Sequence, residues 1–295
     1  MGRPWAMFCP YPLPLRSRDV PPFGPGLRPA RGPLGRLRDQ LLRPIVFGTL
    51  ERTMVPPLNR VRDQLGLAPV GGADDIFGRA PLLLYLTAEP LEYPRSDWPD
   101  NVVMVGPCDW DPPSDLPAWL DDIDRPIVPV TTSSEFQDDT RLVQVALEAL
   151  ATEPVAVAAL PAGDPSRVRT PANARVERFI PHAPVLDHAA CAVTHGGMGA
   201  TQKALAHGVP VCVVPFGRDQ LEVARRVEVA GAGTRLPAKR LRADRLRAKV
   251  REAMRLREGA KRVQEAFAAA GGPSAAADAF ENRVLKRELP QKLPS

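Results

Sequence analysis

Residues 191–220 read CAVTHGGMGATQKALAHGVPVCVVPFGRDQ, in which an apolar strand runs through a glycine-rich turn into a predicted helix. Glycines allow backbone N–H groups to approach a bound anion, and a helix N-terminus adds about half a unit of positive charge. Open α/β sheets bind their ligands at this carboxyl edge of the strands. The stretch therefore predicts a phosphate-binding turn, with a tight packing turn as the alternative. It matches neither the GxGxxG fingerprint of dinucleotide sites nor a Walker loop.

Short apolar strands and amphipathic helices alternate throughout the second half of the chain. The sequence predicts strands at residues 127–131, 155–160, 191–194 and 211–215. It predicts helices at residues 140–152, 185–190, 197–207, 220–230, 243–270 and 275–286. This alternation is typical of a parallel, doubly wound α/β sheet.

The first half of the chain is rich in proline. Of the 35 prolines in the sequence, 23 fall in residues 1–129. Short strands are predicted at residues 7–9, 82–87 and 102–105, and helices at residues 33–42 and 45–65. Because proline breaks a helix interior, Pro56 and Pro57 predict a break within the second of these helices.

Composition excludes several classes of protein. An apolar content of 44% is ordinary for a globular chain and excludes wholesale disorder. No apolar run approaches the ~18–20 residues of a transmembrane helix, and the amino-terminal residues lack the apolar core of a secretion signal. The four cysteines form no CxxC pair, which predicts reduced thiols and a cytoplasmic location.

Charge is segregated along the chain. Residues 71–140 carry 15 acidic residues against three arginines, although the whole chain has a net charge of +5. Nucleic-acid binding would require a basic stripe with interleaved aromatic residues. Aromatic residues are only 5%, so the basic residues at 239–262 are interpreted as solvated helix faces. The arginine-rich segment 36–50 fits either a packing helix or peripheral contact with the inner face of a membrane.

Four motifs follow one another between residues 179 and 220. They are FIPH at 179–182, HGGxG at 195–199, GVP at 208–210 and PxxxDQ at 215–220. In this order and spacing they resemble the nucleotide-sugar-dependent, UDP-glycosyltransferase-like enzymes, in particular those of actinobacterial glycolipid and antibiotic pathways. The resemblance covers about residues 100–285. It implies the GT-B fold, an α/β architecture of two Rossmann-like domains with parallel sheets.

The resemblance implies a donor-binding role at individual positions. Phe179 and the segment to His182 would form the wall for the nucleotide base, and Asp219 and Gln220 would bind hydroxyls of the donor sugar. Residues 131–134, including Ser133, would approach the diphosphate from one side. The glycine-rich turn would hold it from the other side through His195, Gly196, Gly197, Gly199, Ala200 and Thr201. Such a site neutralises the leaving diphosphate without a metal ion, so no metal and no cofactor besides the donor are expected.

Two positions depart from the family pattern. The family usually carries Ser or Thr where Ala200 stands, so one phosphate hydroxyl is missing unless Thr201 supplies it. It often carries Glu where Lys203 stands, and that carboxylate holds ribose hydroxyls, whereas an ammonium group has no acceptor. Thymidine diphosphate, which lacks the ribose 2′-hydroxyl, is therefore at least as plausible in the donor as uridine diphosphate.

The resemblance also implies a domain organisation. Residues 1–108 correspond to part of an acceptor-side domain, 109–126 to a linker, 127–286 to the nucleotide-sugar-binding domain and 287–295 to a tail. The catalytic base of the family is a histidine near the start of the amino-terminal domain. All four histidines here lie at position 182 or later, so the catalytic residue is unassigned. The sequence therefore predicts that the amino-terminal domain is incomplete, truncated at its amino terminus.

The implied reaction is transfer of a hexose or deoxyhexose from a nucleotide-diphosphate sugar to a hydroxyl of a lipid or secondary metabolite, impaired here by the missing region. The expected partners are the donor, a small-molecule or lipid acceptor and, as an option, a complementary amino-terminal half, but no nucleic acid. Two alternatives stay open. The chain is a non-catalytic module that binds nucleotide-sugars or a partner, or its second half binds a different phosphorylated compound.

Other potential sites have simpler interpretations. Four potential metal ligands are close in sequence: His182, His188, Cys191 and His195. Their spacing matches no known zinc site, so no metal is expected. Asp138 and Asp139 fit a solvated loop better than a pair of catalytic carboxylates. Without the resemblance, Asp219 would be interpreted as a helix N-cap.

Overall fold

The chain folds into two parallel β-sheets with helices between their strands. The computed structural model describes residues 4–111, 118–120, 122–133, 140–153, 155–160, 168–177 and 180–286. The strands of the smaller sheet all lie before residue 105, and those of the larger sheet lie between residues 127 and 235.

The smaller sheet is formed by the proline-rich half. Its strands, in both chain and spatial order, are β1 (Met7–Cys9), β2 (Leu83–Tyr85) and β3 (Val102–Met104). Two helices separate β1 from β2: α1 (Pro33–Gln64) and α2 (Ala73–Gly78). Phe77 of α2 packs on Leu83 and Tyr85 of β2, together with Leu13 and Leu15, in a small buried core.

Helix α1 joins the two predicted helices at 33–42 and 45–65 into one, and it also runs without the predicted break at Pro56 and Pro57. A proline inside a helix frees the carbonyl four residues earlier, which must then find another partner. The freed carbonyls belong to Arg52 and Thr53, and these two residues are exposed, as are both prolines. Water can therefore replace the two missing hydrogen bonds, and the helix continues.

Within the described residues, the larger sheet has six parallel strands. In chain order they are β4 (Ile127–Thr131), β5 (Ala156–Leu160), β6 (Ala174–Val176), β7 (Ala192–Thr194), β8 (Val211–Val213) and β9 (Gly233–Arg235). In space the order is β6-β5-β4-β7-β8-β9. The chain moves outward from β4 through β6 and then returns to place β7 on the other side of β4. This reversal between β4 and β7 is the switch point at which such sheets bind ligands.

Helices cover both faces of the larger sheet, which confirms the predicted doubly wound architecture. The helices of this half are α3 (Thr140–Leu150), α4 (His182–Asp187), α5 (Met198–Ala206), α6 (Gln220–Val229), α7 (Ala243–Met254), α8 (Arg257–Ala270) and α9 (Gly272–Phe280). One buried cluster joins α3 and α7 to the strands. A second cluster joins α5, α6 and α8 to the opposite face.

Three predicted helices have different limits. The helix predicted at residues 243–270 is divided into α7 and α8, because Val250 of α7 packs on one face of the sheet and Val263 of α8 on the other. The chain must therefore turn between the two faces. Helix α4 begins at His182, three residues before its predicted start. The helix predicted at 275–286 is α9 followed by a π-helical turn at Glu281–Leu285.

The first half of the chain contacts the larger sheet's helices directly. The Gln202 side chain on α5 donates to the Leu86 carbonyl at 2.7 Å. The Gly272 N–H at the start of α9 donates to the Val105 carbonyl at 2.7 Å. A buried ion pair joins Arg226 of α6 to Glu92. Among the helices of the described residues, none combines the length and hydropathy needed to cross a bilayer.

Candidate functional site

The predicted site residues that the structure describes lie at the carboxyl edge of the larger sheet. Strand β4 ends at Thr131, β7 ends at Thr194 and β8 ends at Val213, and each continues into a loop at this edge. Because β4 and β7 are neighbours and β8 pairs with β7, the three loops adjoin one another.

The turn after β7 requires glycine. Gly196 has a φ of +94°, and a Cβ atom there would lie 3.0 Å from both Gln220 Cβ and Val213 Cγ1. The Gly196 N–H donates to the Thr194 hydroxyl at 3.2 Å, and this hydroxyl lies 3.1 Å from that of Thr201. A larger residue at position 196 would therefore combine backbone strain with a close contact against α6. The hydroxyl of Thr201, which the sequence offers as a replacement phosphate ligand, is buried beneath the turn.

His195 lies across this turn. Its Nε2 atom is 2.4 Å from the position that a Cβ would take on Gly197, so the imidazole occupies the space left by the missing side chain. The His195 residue is only 8% exposed. In contrast, no atom lies within 4 Å of the position of a Cβ on Gly199. The first turn of α5 therefore presents its backbone to open space beside the imidazole.

The loop after β8 carries Asp219 and Gln220. The buried Gln220 side-chain oxygen accepts hydrogen bonds from the N–H groups of Phe216 at 2.8 Å and Gly217 at 3.1 Å, so it shapes the loop. Asp219 stands at the start of α6, but its side chain makes no capping hydrogen bond to that helix. Burial raises the pKa of the Asp219 carboxyl, and the nearby charge of His195 partly opposes that shift. Asp219 therefore belongs to the same electrostatic environment as His195.

The end of β4 faces the first turn of α5 across a narrow cavity. Thr131 and Ser133 are both buried. The Thr131 hydroxyl has no hydrogen-bond partner among the described residues. It lines a cavity of about 20 Å³ with Ala200 of α5, His182 of α4 and Ile180. This volume is close to that of a single water molecule.

His182 is the first residue of α4 and is largely buried. Burial lowers the pKa of its imidazole; the carboxylate of Asp111 acts against that shift, and the ammonium group of Lys203 reinforces it. We therefore expect a neutral imidazole at this position near neutral pH. Phe179, the other predicted part of the base wall, lies outside the described residues, as do Ser134, Asp138 and Asp139.

Lys203 forms contacts that the sequence did not indicate. Its Nζ donates to the Trp110 carbonyl at 2.8 Å and to the Asp111 carboxylate, and lies 3.5 Å from Asp109. Asp109 also approaches His207 at 3.4 Å. Residues 109–111, the start of the acidic segment that the sequence marks only as a linker, are thus held against α5.

The four potential metal ligands named above, of which His195 is the last, are not arranged around one point. Cys191 is fully buried in the cluster formed with α3 and α7, and burial raises its pKa well above the usual range of a thiol. His188 is exposed. Across the described ranges, no group of three or more His, Cys, Asp or Glu side chains is arranged to hold a metal ion.

Sequence comparison connects this edge of the sheet to a known domain. Residues 144–282 match the family model of the erythromycin biosynthesis protein CIII-like C-terminal domain, abbreviated EryCIII-like. Residues 144–282 are therefore an EryCIII-like C-terminal domain. The EryCIII-like region contains α4, α5 and α6, and hence His182, His195 and Asp219. Thr131 and Asp111, which face the same helices, precede it.

The curated relatives of this chain are glycosyltransferases. The chain is 39% identical over 277 residues to 4′-demethylrebeccamycin synthase of Lentzea aerocolonigenes, covering 91% of this chain and 66% of that protein. It is 35% identical over 234 residues to a PGL/p-HBAD biosynthesis glycosyltransferase of Mycobacterium tuberculosis, covering 77% and 53%. The crystal structure of CalG4, the calicheamicin glycosyltransferase, matches with a TM-score of 0.64 and 26% identity, covering 79% of this chain and 60% of that one.

These matches confirm the predicted family and the GT-B fold. This chain spans between about half and two thirds of the length of these relatives. The individual donor-binding positions stay predictions, now with a described location for all of them except Phe179.

Proposed function

We propose that this chain carries the donor-binding site of a glycosyltransferase that transfers a hexose or deoxyhexose from a nucleotide-diphosphate sugar to a hydroxyl of a lipid or secondary metabolite. The observation that carries the proposal is the turn at residues 195–199. There the His195 imidazole lies against Gly197, and no atom lies within 4 Å of the position of a Cβ on Gly199 in the first turn of α5, at the switch point of a parallel sheet. The names of the curated relatives support both acceptor classes.

In this proposal the diphosphate is the leaving group. Transfer breaks the bond between the anomeric carbon and a diphosphate oxygen, while an acceptor oxygen bonds to that carbon and releases its proton. The positive end of α5 and an N–H of His195 would stabilise the charge that develops on the diphosphate, so no metal ion is required. Asp219 would accept hydrogen bonds from donor-sugar hydroxyls. The base that takes the acceptor proton is not assigned to a residue of this chain.

Calorimetric titration of the chain with uridine diphosphate and with thymidine diphosphate tests this proposal. We expect saturable binding of at least one of them, unchanged by EDTA, because helix and imidazole N–H groups would neutralise the diphosphate. Absence of binding by both would contradict the proposed function, and loss of binding in EDTA would contradict the metal-free site. Binding without hydrolysis of the corresponding donor would favour the non-catalytic nucleotide-sugar-binding module.

We also propose that α1 contacts a lipid surface peripherally. Leu34, Leu37, Leu41 and Ile45 recur at helical spacing and are 51–83% exposed, so this face is unpartnered among the described residues. Flotation with vesicles of mixed neutral and anionic lipid is expected to carry the chain with the vesicles. The double substitution Leu37→Gln and Leu41→Gln should abolish that binding. A chain that stays unbound would contradict the lipid contact and favour a polypeptide, such as a complementary amino-terminal half, on this face.

A further inference from the structure

The carboxylate of Asp111 bridges the start of α4 and the last turn of α5. One oxygen accepts a hydrogen bond from the Ala183 N–H of α4 at 2.9 Å, and the other accepts from the Lys203 ammonium group of α5. The adjacent Trp110 carbonyl accepts a second hydrogen bond from the same ammonium group at 2.8 Å. Asp111 is thereby fixed between α4 and α5, although it lies 72 residues before Ala183 in sequence.

The position of Lys203 on α5 shows where the bridge formed by Asp111 lies relative to the candidate site. Residues three and four apart share a helix face, so Lys203 follows Ala200 and Gly199 on one face of α5. That face begins at the open space beside Gly199. The bridge therefore lies further along the same face, on the side where α4 begins with His182.

A nucleotide-sugar is a linear ligand of base, ribose, diphosphate and sugar. If the diphosphate binds at the start of α5 and the sugar near Asp219 of α6, the nucleoside must extend the opposite way, toward His182. The ribose then lies beside the bridge. We propose that Asp111, held in place by Lys203, accepts a hydrogen bond from a ribose hydroxyl of the donor. This inference rests on the proposed function.

The chemistry of the carboxylate suits this role. An ionised carboxylate offers about four lone-pair sites, and the two described hydrogen bonds leave capacity for a hydroxyl donor. The Asp111 side chain keeps 23% of its surface exposed, so a ligand can reach it. Burial acts to raise the pKa of Asp111, but hydrogen bonds from Lys203 and Ala183 outweigh burial and lower it. The group therefore stays an acceptor throughout the neutral range.

The ion pair between Asp111 and Lys203 changes the role expected of Lys203 in ribose binding. A lysine at position 203 cannot accept a hydrogen bond from ribose, which by itself weakens the case for any ribose contact on α5. The structure places an acceptor from the preceding segment directly on that lysine. Both uridine and thymidine diphosphates carry the ribose 3′-hydroxyl, so the contact is available to either nucleotide.

Calorimetric titration of the wild type, Asp111→Asn and Asp109→Asn with uridine diphosphate, thymidine diphosphate and inorganic pyrophosphate tests this contact. In Asp111→Asn we expect about tenfold weaker binding of the nucleoside diphosphates, because a hydrogen bond to a charged group is lost. Binding of pyrophosphate, which has no ribose, should change less than twofold. Asp109 is the matched control, since it also lies near Lys203 and carries the same charge. Asp109→Asn should change every affinity less than twofold.

The outcomes separate the two proposals. If Asp111→Asn lowered the affinity for pyrophosphate as much as that for the nucleoside diphosphates, Asp111 would only hold the linker in place. That result would overturn the ribose contact. Unchanged binding of all three ligands would overturn it as well. If the wild type bound neither nucleoside diphosphate, the proposed function itself would fail, and the ribose contact with it.

Discussion

Replacing Arg226 with methionine is expected to lower the free energy of unfolding by about 3–5 kcal/mol. The Arg226 guanidinium lies 2.9 Å from Glu92 and 2.7 Å from Glu222, and all three side chains are at most 6% exposed. It also lies 4.4 Å from the centre of the Tyr93 ring. Methionine would fill much of the volume but leave two buried carboxylates without their cation. Such uncompensated charge is among the largest single costs in a folded protein.

Urea unfolding monitored by circular dichroism measures this effect, and Arg225→Met is the matched control. Arg225 directly precedes Arg226 on α6, and its guanidinium pairs with Glu228 and donates to the Gly26 carbonyl at 2.8 Å. It is more exposed than Arg226, so its loss should cost only about 1 kcal/mol. Equal costs for the two substitutions would contradict the assignment of a buried charge network centred on Arg226.

This network links the two halves of the chain beside the candidate site. The Glu222 carboxylate accepts hydrogen bonds from the N–H groups of Gly24 and Gly26 at 2.7 and 2.8 Å. Glu222 belongs to α6, whose first turn contains Gln220 and follows Asp219 directly. The network thus holds the first half of the chain against the helix proposed to bind the donor sugar. Because the contacts of Glu222 and Arg226 with the first half of the chain hold α6 in place, its N-terminus is positioned before any ligand binds.

Local sequence patterns predict the larger sheet well. Apolar strands followed by amphipathic helices are visible in the sequence because each element is encoded over a few consecutive residues. Strands β6 (Ala174–Val176) and β9 (Gly233–Arg235) are exceptions, because neither is among the predicted strands. Strand β9 has the sequence GTR, with no apolar run. It becomes a strand through pairing with β8, where a Cβ on Gly233 would lie 2.0 Å from the Val211 carbonyl oxygen. The glycine at this position allows the close approach of β8 and β9, and such a long-range contact is not visible in the local sequence.

The candidate site could be predicted only in part, for a similar physical reason. The turn at 195–199 is local, and its glycines predict both the positive φ of Gly196 and the open approach beside Gly199. The partners of Lys203 and Arg226 lie 92 and 134 residues away in sequence. No periodicity encodes such contacts. The acidic composition of residues 71–140 is the available signal for Asp111, but composition cannot show which cation the carboxylate contacts.

Replacing His195 with alanine is expected to weaken binding of the nucleoside diphosphate by roughly tenfold to a hundredfold. The imidazole is buried against Gly197, two residues before the open position at Gly199 in the first turn of α5. A hydrogen bond from its N–H to a diphosphate oxygen is charge-assisted and contributes about 1.5–3 kcal/mol, which sets that range. His195→Gln retains a side-chain N–H donor, so it should recover part of the affinity.

Calorimetric titration with the nucleoside diphosphate that the wild type binds measures the loss, and His188→Ala is the matched control. His188 follows α4 and is exposed, so its removal should change the affinity less than twofold. Thermal unfolding separates lost binding from lost structure, because a folded His195→Ala chain keeps the transition midpoint of the wild type to within a few degrees. If folded His195→Ala bound the nucleotide as tightly as the wild type, the diphosphate could not lie against His195. The proposed placement of the ribose at Asp111 and of the sugar at Asp219 would then lose its support, because both are placed relative to a diphosphate at His195.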